Sequence, residues 1–183
     1  MSPIGISHSD IPHRTGRVNG SAGRRVDDAG RRADHGRVEQ ADIDLRNATY
    51  RRFVELGRAP TAAEVAATTG VGEEDVRSGW RRLHDGHALV LDDGGEIRMA
   101  NPFAARPTDF QVETAGRSWY ANCAWDAFGI GAALHVDSRF ETHCPDCGEQ
   151  IPISVHEGRP DDLTPVFHVL VPAARWWTDI GFT

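Results

Sequence analysis

The chain has 183 residues, 39% of them hydrophobic, with 20 arginines, no lysine, 27 acidic residues and a net charge of −7. That length suits one ordinary domain or two small ones. An acidic surface disfavours nonspecific binding to nucleic acid or anionic lipid, and no apolar run approaches the ~20 residues of a membrane span.

Residues 1–44 mix Gly, Ser, Arg, Asp and His with scattered apolar residues, and no helical or strand period persists in them. We read them as a disordered tail. Met1 to Arg14 shows no apolar secretory core, which places the expected compartment in the cytoplasm.

Residues 45–100 carry clear periodicity. Leu45, Ala48, Phe53 and Leu56 fall on one helical face, widened by Tyr50 and Val54. Thr61 and Glu64 have capping-box spacing and open a second helix, Ala62 to Ala67. Gly72 leads into a third, Glu73 to His84, with Val76, Trp80 and Leu83 on one face. Ala88 to Leu91 and Glu96 to Met99 flank Asp92-Asp93-Gly94-Gly95, a hairpin turn. Three helices and a two-stranded wing predict a winged-helix-like domain. Arg77, Arg81 and Arg82 stand where a recognition helix would touch DNA. The near-neutral charge of the segment favours a solvated face instead, so DNA is not an expected partner.

Residues 101–183 predict a small mixed or antiparallel sheet with one short helix, which makes the whole chain α+β. Phe110 to Glu113 and Arg117 to Ala121 form a hairpin about Ala115-Gly116. Asn122 to Ala133 reads as a helix, Leu134 to Phe140 as a strand, and Gln150 to Val155 as its partner across Cys144-Pro145-Asp146-Cys147-Gly148. Val166 to Val171 reads as an apolar strand, and Pro172 begins a tryptophan-rich helix or turn.

The chain's three cysteines cannot form a complete disulfide framework and read as reduced thiols for metal or chemistry. Cys123 lies where a strand runs into a helix, and there free amides and the helix dipole favour a thiolate with a lowered pKa. Asp126, three residues on, shares its helical face and can carry a proton. The alternative reading is a buried structural cysteine beside a helix-start charge. Cys144 and Cys147 have the spacing of a zinc knuckle, but zinc needs four ligands and no second pair exists. Two incidental thiols on a tight turn are an equal alternative.

The run Gly116-Arg117-Ser118-Trp119-Tyr120-Ala121-Asn122-Cys123-Ala124-Trp125-Asp126 resembles the active-site motif of the organomercurial lyase (alkylmercury lyase) family. The resemblance extends back through Asn101-Pro102-Phe103 and forward through Thr142-His143-Cys144 and Val169-Leu170-Val171-Pro172 to Trp176-Trp177. It implies that Cys123 is a mercury-binding nucleophile and Asp126 the proton donor in protonolysis of a carbon–mercury bond, which gives a hydrocarbon and bound Hg(II). It implies an organomercurial substrate, no required cofactor, and a mercuric reductase as acceptor of the ion. Family members carry a further catalytic cysteine after the tryptophan stretch, and this sequence stops at about that point. The expectation is that the chain is truncated there, or that Cys144 and Cys147 substitute as metal ligands, or that activity is lost; a zinc at Cys144 and Cys147 is a further reading of the pair. A metal-responsive winged-helix regulator and a non-catalytic thiol metal-binding protein are the alternatives.

Overall fold

The computed structural model describes residues 39–181. Its elements are helices α1 (Gln40–Leu56), α2 (Ala62–Thr69) and α3 (Glu73–Asp85), strands β1 (Val90–Leu91), β2 (Ile97–Ala100), β3 (Phe103–Ala104), β4 (Gln111–Thr114) and β5 (Arg117–Tyr120), helix α4 (Ala124–Leu134), and strands β6 (Ser138–His143), β7 (Gln150–His156) and β8 (Arg159–Pro160). A 3-10 helix, Ala173–Thr178, follows. The protein is α+β: a helical region, then antiparallel sheet.

The three helices form as their apolar faces predict. Phe53, Val65, Val76, Trp80 and Leu83 are all buried. The capping box at Thr61 is complete, with the Thr61 amide donating to the Glu64 carboxylate at 2.8 Å and the Glu64 amide to the Thr61 hydroxyl at 3.2 Å. Trp80 is buried with its Nε1 donating to Thr49 Oγ1 at 3.0 Å, and Thr49 in turn donates to the Leu45 carbonyl at 2.9 Å. A large ring thereby joins α3 to α1 without an orphaned polar atom.

One boundary differs from the sequence reading. Helix α1 begins at Gln40, not Leu45, so residues 40–44 belong to it and not to a tail. Asp42 is the cause: it is buried in the first turn and accepts the Arg82 guanidinium of α3 at 2.7 Å. Residues 1–38 of the expected tail lie outside the described residues.

β1, β2 and β3 form a small antiparallel sheet, and β5-β4-β6-β7-β8 form a second. The hairpins about 92–95 and 115–116 appear as the turn residues predict, and β6 pairs with β7 across the cysteine turn. The two sheets are not separate bodies. Phe103 makes a bridge to Ala121, and its ring lies 5.2 Å from that of Phe53 and 6.3 Å from that of Trp119. One apolar cluster therefore runs from α1 through β3 into β5.

Two strand expectations are corrected. The strand expected at 134–140 runs Ser138–His143 instead. Leu134 is the last residue of α4, and His135 closes that helix in the left-handed region at φ 55°. The apolar run Val166 to Val171 is not a strand. β8 occupies the edge beside β7, and Pro165 and Pro172 flank the run, each without an amide to donate.

α4 packs on the sheet through small residues. A methyl added at Gly131 would collide with Ser138 Oγ and stand 3.0 Å from Ser138 Cβ and 3.3 Å from the Val136 carbonyl. Gly131→Ala gains helix propensity yet overpacks this contact, so we expect a net loss of about 1–2 kcal/mol. Urea denaturation checks this; a variant as stable as the parent would show that α4 can slide.

Candidate functional site

Cys123 is the N-cap of α4, with extended backbone at φ −154° and ψ 178°. Strand β5 ends three residues earlier, and the Ala121 backbone is tied at both ends: its amide donates to the Phe110 carbonyl at 2.8 Å and its carbonyl accepts from Thr108 Oγ1 at 2.6 Å. The strand-to-helix junction is therefore held in one place, and the Cys123 thiol is half-buried there.

The expected lowering of the Cys123 pKa is corrected. Burial pushes the thiol up and outweighs the amides of Asp126 and Trp125, which favour the thiolate; the nearby Asp126 charge raises it further. At rest the sulfur holds its proton. Burial also raises Asp126, opposed by a hydrogen bond from Asn122 Nδ2 at 2.9 Å. A thiol and a carboxyl thus share one site, and burial opposes the ionisation of each.

Three residues not singled out as site residues from sequence hold Asp126. Asn122 Nδ2 also donates to Asn101 Oδ1 at 3.1 Å, and the Asn101 carbonyl accepts from the Tyr50 hydroxyl at 3.0 Å. Tyr50, read from sequence as a widening of an apolar face, ties α1 to the site; burial raises its pKa, and the Asp126 charge adds to that. Asn122 sits four residues before Asp126, a one-turn spacing that could have flagged the pair. The contact with Asn101 depends on tertiary structure.

Cys123 and Asp126 open into a cavity of about 870 Å³. Phe110, Phe128, Phe140, Ile151 and Ile153 form much of its inner wall, and the segment from Asp162 to Val171 with Trp176 forms the outer one. Contacts within and beyond that segment hold it: Phe167 lies 6.1 Å from Trp125, Trp177 stacks on His87 at 4.0 Å, and Trp176 Nε1 donates to the Val171 carbonyl at 2.6 Å. Its outer side is markedly apolar, with Leu163, Val166 and Leu170 at 82%, 91% and 80% exposure. The walls suit an organic group, while the Cys123 thiol with the Asp126 carboxyl suits a soft electrophile that must receive a proton.

Of the sequence-predicted site residues, Cys123, Asp126 and Cys144 line this cavity, and Cys147 does not. Cys147 is exposed on the turn between β6 and β7. That turn is closed by the Cys144 amide donating to the Glu149 carbonyl and the Gly148 amide to the Cys144 carbonyl, both at 2.8 Å. The Cys147 thiol and the amides of Cys147 and Asp146 hydrogen-bond the Cys144 sulfur and hold its pKa below the usual thiol value. Among the described residues no group of three or more His, Cys, Asp or Glu could hold a metal ion. The turn therefore offers two sulfurs, which do not fit the four-ligand shell of a structural zinc.

The site joins an antiparallel sheet to a helix that carries a thiol at its N-cap and a half-buried carboxyl three residues on. Residues 103–183 match the family model of MerB, alkylmercury lyase. The structure is also similar to the crystal structure of the mercury-bound form of MerB2, with a TM-score of 0.56 and 25% sequence identity over 69% of this chain. The chain spans 61% of the length of that protein. Comparison with curated proteins gives no match.

Proposed function

We propose that this protein cleaves carbon–mercury bonds of organomercurial compounds by protonolysis. The observation that carries the reading is the pairing of Cys123 with Asp126 in an apolar cavity, inside the segment that matches alkylmercury lyase. Burial raises the thiol from 9.0 and the carboxyl from 3.8; in this reading the pair starts the reaction with one proton, on sulfur. An organomercurial cation forms a bond to sulfur and displaces that proton, and Asp126 takes it. Sulfur donation raises electron density on the mercury-bound carbon. Asp126 then returns the proton to that carbon, the carbon–mercury bond breaks, and hydrocarbon leaves with Hg(II) on Cys123. The proton count closes, and no external acid is consumed.

We read the compartment as cytoplasmic and a mercuric reductase as the acceptor of the ion. Among the described residues no helix is long and apolar enough to cross a membrane. Phenylmercury gives the direct test. Benzene measured by gas chromatography should appear with the purified 183-residue chain, and its absence under conditions where Cys123 binds mercury would sink the reading.

The helical region reads as a support for the site and not as a DNA reader. Arg77 pairs with Glu73 and Glu96, Arg81 with Glu74, and Arg82 with Asp42, so carboxylates already engage the candidate contact face. We expect no tight binding to duplex DNA in a gel-shift series at 50 mM salt, where phosphate contacts are strongest. Salt-sensitive binding lost on changing Arg77 and Arg81 would favour a regulator.

A further inference from the structure

We propose that Cys144 and Cys147 form a two-sulfur exit site that takes Hg(II) from Cys123 and carries it from the cavity to the surface. The origin of the ion rests on the cleavage reading above; the capacity of the pair to hold Hg(II) does not.

Three observations place the pair for this role. Cys144 lines the cavity that holds Cys123 and Asp126. Cys147 lies outside that cavity and is exposed. The two cysteines stand three residues apart on a turn closed by two backbone hydrogen bonds of 2.8 Å. One cysteine therefore lines the cavity, its neighbour is exposed, and the closed turn keeps the two close together.

The chemistry of the ion fits two sulfurs and no more. Mercury(II) is soft, prefers thiolate to oxygen or nitrogen, and is satisfied by two sulfur ligands. The absence of any three-donor group among the described residues, which argues against zinc, is no obstacle to it. The transfer is ligand exchange. The Hg–S bond to Cys123 breaks as bonds to Cys144 and Cys147 form. The two thiols of the turn give up two protons, one of which restores the Cys123 thiol while the other goes to water. Mercury remains Hg(II) throughout, and no oxidant or reductant is needed. A second sulfur on one short turn binds with a high effective concentration, which makes the exchange favourable over a single thiolate.

The test loads the 183-residue protein with one equivalent of mercuric chloride and maps free thiols by alkylation and mass spectrometry. Cys144 and Cys147 should be protected and Cys123 alkylated. The Cys123→Ser variant should still retain one Hg(II) against millimolar glutathione. Adding Cys147→Ser to it should weaken retention on the order of 10²-fold. Protection of Cys123 with Cys144 and Cys147 both alkylated would overturn the proposal, as would a loss under about tenfold on removing Cys147. Circular dichroism of each variant confirms that the exposed Cys147→Ser change leaves the fold intact. Benzene release from phenylmercury is followed alongside. No benzene with a protected Cys144–Cys147 pair sinks the cleavage reading and supports the dithiol site; benzene release with mercury left on Cys123 sinks the exit site alone.

Discussion

Cys123→Ala should reduce hydrocarbon release from an organomercurial by at least about 10³-fold, the scale seen when a covalent nucleophile is removed. The sulfur is the group that must bond mercury first, because the carbon accepts a proton only once it carries enough electron density. Cys123→Ser separates chemistry from architecture. Position 123 is the N-cap of α4, where serine is a good cap and its hydroxyl accepts from the helix amides. The serine variant should therefore fold at least as well as the parent. It should nevertheless be as inactive as alanine, because a hard, un-ionised oxygen does not hold Hg(II). Thermal melts and gas chromatography on the two variants decide it. A serine variant with appreciable turnover would show that position 123 does not bond the metal.

Asp126→Asn should leave mercury bound to sulfur but lower cleavage by about 10²–10⁴-fold, the usual share of a positioned proton carrier. The amide keeps the shape and can still accept from Asn122, but it cannot take the thiol proton or return it to carbon. The pH profile gives an independent readout. Below the Asp126 pKa the carboxyl cannot receive the proton, so activity falls; burial places that limb above the ordinary carboxylate value of 3.8. Above the Cys123 pKa the pair has lost its proton and none remains for the carbon; burial places that limb above 9.0. The profile should be a broad plateau between them.

Stability runs the other way. A carboxyl whose folded pKa is raised binds protons more readily when folded than unfolded, so it costs stability as pH rises from 3.8 through the folded value, and the cost persists above. Asp126→Asn removes the ionisable group. The variant should melt higher than the parent at neutral pH and converge with it in acid. An unchanged or lower melting temperature at neutral pH would mean that Asp126 is not held against its ionisation.

The helices, the hairpins and the motif were legible in the sequence because each depends on local rules. Thr61 and Glu64 cap α2 from three residues apart, Asp92 to Gly95 turn a hairpin, and Val76, Trp80 and Leu83 recur at helical spacing to meet a core. The nearness of Cys123 and Asp126 is likewise a matter of one helical turn. Tertiary structure decided what those groups are worth. An N-cap position alone predicts a lowered thiol pKa, but burial and the charge of Asp126 raise it, since desolvation depends on walls contributed by residues far away in the chain. The link from Tyr50 through Asn101 to Asn122 spans α1 to α4, and no period records it. The run Val166 to Val171 has the composition of a strand and becomes a cavity wall, because a strand needs a partner with free backbone groups and the neighbouring sheet edge is already taken by β8. Sequence set Cys123 and Asp126 three residues apart; the packing of distant segments determined the burial that raises both pKa values, and that Cys144 lines the cavity while Cys147 lies exposed outside it.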